Sequence, residues 1–484
     1  MLHPTTFRGG RGRTRRRRVK ALAVAALADI VQGRLNEPAG ELGEQPLVQG
    51  FSVDSRSIEP GQVFVATRGE RVDGHDFAAA ALERGAVTVL SERDLAPLPC
   101  IVVEDCVAAL GHVAAWYRRE VLTATVIALT GSSGKTTTKD LIAGVLDGDV
   151  VAARGSFNTE IGVPLTILAA DVDTDFLVLE MGMRGLGHIR YLAELATPDI
   201  ALVLNVGTAH VGMLDGPADI AQAKGEIIEG LPASAVAVLN ADDPQVAAMR
   251  SRTDARIVWF GESSDADIRA LDIRLDEHGR PNFRLSVAGE VSETICLPMH
   301  GEHFVSAALA AASVAHLTGV PVAAIADRLA DIRVDSRWRM EVRRSEAGVT
   351  VVNDAYNANP ESMRAALKAL RSMAQGSRTW AVLGEMRELG ELSVPEHDAI
   401  GRLAVRLDIS RLVCVGPQTK VMHLAASNEG SWGEESAWVP DIAAAIELLD
   451  AGVQPGDVVL IKASRAIGLE AVAAHLLGEQ EEGA

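Results

Sequence analysis

The chain has 484 residues, more than one hydrophobic core can organise, so three domains are expected. Its 46 Lys and Arg against 65 Asp and Glu give a formal net charge of −19, which excludes a general nucleic-acid binder with a basic face but not local positive cradles for small anions. The four cysteines (Cys100, Cys106, Cys296, Cys414) form neither a C-x-x-C pair nor a metal spacing, and no 18 consecutive apolar residues occur, so a reduced, cytoplasmic protein without stable membrane association is expected; a monomer is also expected, though nothing in the sequence fixes the oligomeric state.

Residues 1–18 hold seven arginines and no acid: Arg8, Arg11, Arg13 and Arg15 to Arg18. They read as a disordered leader, with a nucleic-acid or membrane tail as the alternative. Val19 to Val31 is too interrupted by Lys20 and Asp29 for a signal peptide and reads as the first amphipathic helix of a domain spanning 19–118. In that domain short apolar runs alternate with turns. Val63 to Ala66 reads as a strand and Gly69 to Phe77 as a polar loop, while Asp54-Ser-Arg56 alone suggests only a turn-stabilising Asp beside a surface Arg.

From 119 to 334 strands alternate with helices, which predicts a mostly parallel sheet with flanking helices. Val126 to Leu129 is an apolar strand, Gly131-Ser-Ser-Gly134 a tight turn, and Lys135 to Leu146 a helix. Such a turn aims backbone N–H groups and a helix dipole at phosphate. Lys135 would reach the β/γ-phosphates, and the Thr136 hydroxyl would ligate Mg²⁺. The motif is the short T-G-x-x-G-K-T form, since Leu129 stands where the longer form has its first glycine.

Ligands of parallel sheets gather at the carboxyl ends of strands. Phe176 to Leu179 ends at Glu180, a candidate magnesium ligand or else a satisfied rim carboxylate. Ile200 to Asn205 runs into a loop holding His210, a possible metal or phosphate contact. A helix from Pro217 to Leu231 places Lys224 on the same face as Ile220, Ile227 and Ile228. A snorkelling lysine is the ordinary reading. The functional one is an amine of depressed pKa that reacts with CO₂ to give an anionic carbamate ligand.

Residues 255–300 read as short strands and turns, and Phe304 to Ala326 as an Ala-rich core helix followed by a turn. Residues 335–484 begin a further alternation: strands Val349 to Val352, Thr379 to Leu383, Arg411 to Val415 and Val458 to Ile461, with a helix from Glu361 to Met373. The acidic tail after Gly478 is expected to fray.

Together these stretches resemble the Mur ligase family from about residue 20 onward. The carriers are Thr130-Gly-Ser-Ser-Gly-Lys-Thr-Thr137, Phe157-Asn-Thr-Glu-Ile-Gly-Val-Pro164, Glu180-Met-Gly182, Asn205-Val-Gly-Thr-Ala-His210, Asn353-Asp-Ala-Tyr-Asn-Ala-Asn-Pro360 and Leu383-Gly-Glu-Met-Arg-Glu-Leu-Gly390. The last two resemble the branch that adds a dipeptide rather than one amino acid.

The resemblance implies three α/β domains: a substrate domain holding UDP, a central P-loop-type ATP domain, and a Rossmann-like C-terminal domain at 335–484. It implies small-molecule substrates, namely ATP, UDP-N-acetylmuramoyl-tripeptide and D-alanyl-D-alanine, with Mg²⁺ and an acyl-phosphate intermediate. By resemblance, Ser55, Arg56, Asn158 and Thr159 touch the nucleotide peptide. Gly131, Ser132, Ser133, Gly134, Lys135, Thr136 and Thr137, with Arg339, Asp354, Tyr356 and Asn357, hold ATP. Glu385, Met386 and Leu389 position D-alanyl-D-alanine, and a carboxylate of the 385–391 segment is a candidate base for its amine. Lys135, Glu180, His210 and Lys224 form the catalytic set, with Thr136, Glu180, His210 and carbamylated Lys224 toward magnesium. The chain departs from the family at Gly301-Glu-His-Phe-Val-Ser-Ala-Ala308, where Phe304 and Ala307 replace the asparagines expected at adenine. The alternatives are a sister ligase with another acceptor, such as a folylpolyglutamate-type enzyme, and a non-catalytic nucleotide-binding regulator.

Overall fold

The computed structural model describes residues 22–41, 47–69, 72–153, 155–207, 216–334, 336–430, 433 and 435–479. The Arg-rich leader and His210 lie outside them.

The N-terminal part runs β1 (Leu22–Ala23), α1 (Val24–Ile30), β2 (Arg34–Leu35), α2 (Glu37–Gly40), β3 (Leu47–Val48), β4 (Gly50–Ser52), β5 (Gln62–Val65), α3 (Ala78–Glu83), β6 (Thr88–Ser91), β7 (Cys100–Val102) and α4 (Cys106–Glu120). β1 pairs with β3, and the other five strands form a sheet ordered β2-β7-β6-β5-β4, parallel except at β2. Helix α4 is capped by Asp105, whose carboxylate accepts from Val107 N and Ala108 N. It crosses the expected domain boundary at 118 and packs on helices of the next sheet.

The middle part runs β8 (Thr125–Thr130), α5 (Lys135–Val145), β9 (Val150–Ala152), α6 (Gly162–Ile167), β10 (Phe176–Glu180), α7 (His188–Ala196), β11 (Ile200–Val203), α8 (Pro217–Glu229), β12 (Val236–Asn240), α9 (Pro244–Ala247), β13 (Arg256–Gly261), β14 (Ile268–Leu275), β15 (Pro281–Val287), β16 (Glu290–Cys296), α10 (Phe304–Leu317) and α11 (Val322–Ala330). Its nine strands are ordered β16-β15-β14-β13-β12-β11-β8-β10-β9. They are parallel from β9 to β14, and β15 and β16 add an antiparallel edge.

Strand β8 is buried on both faces, the condition of a central parallel strand covered by helices. Ile127 and Leu129 pack with Leu141 and Ile142 of α5 and Leu309 of α10. Val126 and Ala128 face the opposite layer, with Leu110, Ile189, Ile220 and Ile227 of α4, α7 and α8. The Ala-rich run holds two helices rather than one helix and a turn. Gly319, at φ +88°, and Pro321 end α10 and admit α11.

The C-terminal part runs β17 (Glu341–Arg344), β18 (Thr350–Asn353), α12 (Pro360–Met373), β19 (Thr379–Leu383), α13 (Ser393–Arg406), β20 (Arg411–Val415), α14 (Lys420–Glu429), β21 (Ser436–Val439), α15 (Ile442–Gly452), β22 (Val458–Lys462) and α16 (Glu470–Leu477). The sheet order is β17-β18-β22-β19-β20-β21, with β17 alone antiparallel. Met363, Leu367 and Leu370 of α12 share an apolar cluster with α5 and α10 of the middle part. The carboxyl ends of the middle and C-terminal sheets therefore meet at one opening. No helix among the described residues is long and apolar enough to cross a membrane.

Candidate active site

Strand β8 turns sharply through Gly131 to Gly134 into α5. Gly134 caps the helix at φ +77°, a left-handed conformation that costs glycine little. No side chain caps this end, so the first-turn N–H groups face an enclosed space. The turn is pinned from the segment that follows the neighbouring strand β11. Asn205 Oδ1 accepts from Ser132 N (2.9 Å) and Ser133 N (3.0 Å), and Asn205 Nδ2 donates to Ser133 O (3.2 Å). Gly207 N donates to Ser132 Oγ at 2.8 Å.

Lys135 donates from Nζ to Gly131 O at 2.7 Å. Burial holds its pKa below the usual lysine range, Glu180 acts the other way, and Arg339 lowers it further. Glu180 closes β10 and is buried, with both oxygens engaged. Thr136 Oγ1 donates to Oε2 at 2.8 Å and Asn158 Nδ2 to Oε1 at 2.7 Å. A hydroxyl and a carboxylate are hard oxygen donors suited to magnesium. Among the described residues no three His, Cys, Asp or Glu cluster as a metal cage. Magnesium commonly keeps waters and substrate phosphates as its remaining ligands, so this donor set fits it.

The C-terminal part supplies the opposite wall. Arg339 stacks over the Tyr356 ring at 4.1 Å and donates to Ser156 Oγ at 3.1 Å. It is flanked by Trp338 and Met340, both at positive φ (61° and 50°). Two non-glycine residues in that region store strain, which the surrounding contacts must hold. Asp354 accepts from Met340 N (3.0 Å) and pairs with Lys462 Nζ (2.6 Å). Lys462 also donates to Asn357 O at 2.8 Å. Asn359 Nδ2 reaches Ser132 O in the glycine-rich turn at 3.2 Å.

These residues line one cavity of about 600 Å³. Of the residues singled out from sequence, it gathers Ser132 to Thr137, Asn158, Thr159, Glu180, Arg339, Asp354, Tyr356 and Asn357, and along one side Phe304 and Ala307. Gly131 lies just behind, its carbonyl on Lys135. Ser55 and Arg56 lie elsewhere, in a short 3-10 turn after β4 of the N-terminal part. There Arg56 makes a two-point ion pair with Asp54, and its N–H bonds the same carboxylate.

Lys224 is buried and does not line the cavity. It sits on α8, which packs against β8 and β11. Among the described residues nothing hydrogen-bonds or pairs with its ammonium. Burial, and then repulsion from Lys135, push its pKa well below the usual range.

The segment after β19 keeps Glu385, Met386 and Leu389 away from the cavity lining. Met386 and Leu389 are in the core, and Glu385 is buried, its Oε1 accepting from Gln418 N at 3.2 Å. Glu388, at φ +64°, is the residue of this segment that the turn directs to the cavity. His397 holds the segment from behind: Nε2 accepts from Met386 N at 3.1 Å, and Nδ1 donates to Ser393 O at 2.7 Å.

Burial lowers the His397 pKa. The unfolded chain therefore binds a proton first as pH falls below about 6.5, and the fold loses stability from there down to the folded-state pKa. We predict that the His397→Gln protein, which keeps an acceptor, loses less Tm between pH 7 and pH 5 than the wild type. Equal losses in the two proteins would clear His397 of this role.

Sequence reading missed Ser156, Asn359, Lys462, Glu160, Arg184 and His188. Lys462 had a usable signal, since it ends the apolar strand Val458 to Ile461 much as Glu180 ends β10.

Three family descriptions match the chain: Mur ligase family, catalytic domain, over 47–118; Mur ligase middle domain over 129–315; and Mur ligase, glutamate ligase domain, over 338–465. The UDP-N-acetylmuramoyl-tripeptide--D-alanyl-D-alanine ligase of Mycobacterium tuberculosis (strain H37Rv) is 45% identical, covering 95% of this chain and 98% of its own. The crystal structure of MurF from Acinetobacter baumannii superposes with a TM-score of 0.84 at 30% identity, over 95% of this chain and 100% of the other. That of MurF ligase from Thermotoga maritima in complex with ADP gives 0.77 at 31% identity, over 89% and 97%.

Proposed function

This chain belongs to the Mur ligase family, and from that premise we infer its reaction: the ATP-dependent joining of D-alanyl-D-alanine to UDP-N-acetylmuramoyl-tripeptide in peptidoglycan synthesis. One observation carries the reading. A phosphate-type turn with Lys135, Thr136 and Glu180 faces Arg339, Asp354 and Lys462 of another sheet across a single cavity.

The terminal carboxylate of the tripeptide attacks the γ-phosphorus of ATP, and ADP leaves. The N–H groups of the turn and Lys135 stabilise charge on the phosphoryl oxygens. Thr136 and Glu180 would hold magnesium, which would supply further charge neutralisation. The dipeptide amine then attacks the acyl carbon of the acyl phosphate, loses a proton, and expels phosphate as the amide forms. Glu388, which lines the cavity, is assigned to take that proton. Walls from two sheets keep water from the acyl phosphate. Ser55 and Arg56 are assigned to the uridine diphosphate end. Lys224 is assigned as a carbamate: its neutral amine adds to the carbon of CO₂ and releases a proton, replacing a like charge near Lys135 with an anion. The chain acts in the cytoplasm, where ATP is available.

ADP release tests this reading. It is expected only when the nucleotide tripeptide and the dipeptide are both present. Full-rate release with a single amino acid in place of the dipeptide would refute it.

Among the described residues, the base end of the cavity lacks the two asparagines that the family resemblance puts there. Phe304 and Ala307 wall it, and the Asn240 amide is already spent on Leu204 O (2.8 Å) and Asp242 N (2.9 Å). Apolar walls discriminate poorly between similar ligands, so GTP should be used within about tenfold of ATP in kcat/KM. A preference above about a hundredfold would reveal a base-reading group that the walls do not supply.

A further inference from the structure

Beside Glu180, two chain segments leave the phosphate turn side by side. Gly182 N donates to Asn158 O at 2.8 Å, and Asn158 Nδ2 holds Glu180 at 2.7 Å. Two residues farther along each segment stand Arg184 and Glu160, and both line the cavity. His188 ties them together: its Nδ1 is 3.2 Å from Glu160 Oε1 and 3.3 Å from Arg184 N. Among the described residues no carboxylate pairs with the Arg184 guanidinium. Met183 and Leu192 give this end an apolar wall.

A guanidinium and a carboxylate lining the same cavity match a group bearing one negative and one positive charge on the same carbon. On the reading above, the reacting carboxylate belongs to the third residue of the tripeptide. The side chain of that residue ends about 6–7 Å from it, taking bonds of about 1.5 Å. Arg184 is four residues beyond Glu180, at most about 14 Å along the chain, and lines the same cavity.

We propose that Arg184 and Glu160 are the specificity pair for the third residue of the tripeptide, reading the distal amino-acid end of diaminopimelate. Arg184 takes the distal carboxylate in a charge-assisted hydrogen bond, Glu160 takes the distal ammonium, and the methylenes lie along Met183 and Leu192. Lysine at the third position satisfies Glu160 but sets its ammonium toward an unpaired guanidinium. The proposal rests on the ligase reading.

The test measures ADP release with saturating D-alanyl-D-alanine and three tripeptides: one ending in meso-diaminopimelate, one in L-lysine, and one in diaminopimelate amidated at the distal carboxyl. The first should exceed the other two by about tenfold or more in kcat/KM, the scale of a lost charge-assisted hydrogen bond. Arg184→Met should remove that advantage, bringing the three substrates within a few-fold of one another, and Arg184→Lys should restore part of it. Glu160→Gln should weaken diaminopimelate and lysine substrates alike. Equal use of the three substrates by the wild type, or equal loss on all three in Arg184→Met, would overturn the pair. The amidated substrate needs no mutation, so a folding defect in a variant cannot hide the answer. Turnover of none of the three would instead refute the ligase reading itself.

Discussion

Replacing Lys135 by Met is expected to lower kcat by about a thousandfold, or about 4 kcal/mol of transition-state stabilisation. The size follows from its position. Its ammonium sits inside the glycine-rich turn on Gly131 O, with the Thr136–Glu180 pair beside it. Charge spreads over the phosphoryl oxygens in the transition state, and few groups here can meet it with a full positive charge. Arg339 and Lys462 line the same cavity, but the first is tied to Ser156 and Tyr356 and the second to Asp354. ADP release should fall while the tripeptide still binds and the circular dichroism is unchanged. A loss of less than about tenfold would mean that another cation supplies the charge.

The second large effect is at Lys224. Lys224→Ala and Lys224→Arg should each lower kcat by about a hundredfold or more, the scale for losing one preorganised electrostatic group. Alanine removes the amine, whereas arginine keeps a positive charge that cannot become a carbamate. The argument starts from an unfavourable arrangement. Lys224 is buried, no described residue pairs with it, and Lys135 repels it. Such an amine gives up its proton readily and is then nucleophilic. Wild-type protein stripped of CO₂ should lose turnover and regain it with bicarbonate, and ¹³C-bicarbonate should leave a carbamate resonance. Neither variant should respond. Full activity of Lys224→Arg would end the carbamate assignment.

How far the sequence could be read varied with the distance over which each feature is built. The phosphate turn is local: strand, two glycines, lysine and helix lie within 21 residues of sequence, Thr125 to Val145. Periodicity placed Lys224 on the inward face of its helix, because a helix with Ile220, Ile227 and Ile228 has one buried side. Loop positions were different. Nothing in Glu385 to Leu389 indicates which side chains turn inward. The answer depends on His397 pinning the Met386 amide and on the backbone reversing at Glu388.

The order of residues by itself determined the α/β class, the alternation of strands and helices, the phosphate turn and the family, since each follows from short-range pattern or contiguous motif. Tertiary structure decided which of these groups share a cavity. It brought Asn205 to the turn, Asn359 to Ser132, Lys462 to Asp354 and Arg184 to the side of Glu160. These partners come from separate strands and loops, and their distances are set by how the sheets stack and where their strands end. No pattern of neighbours along the chain encodes that spacing.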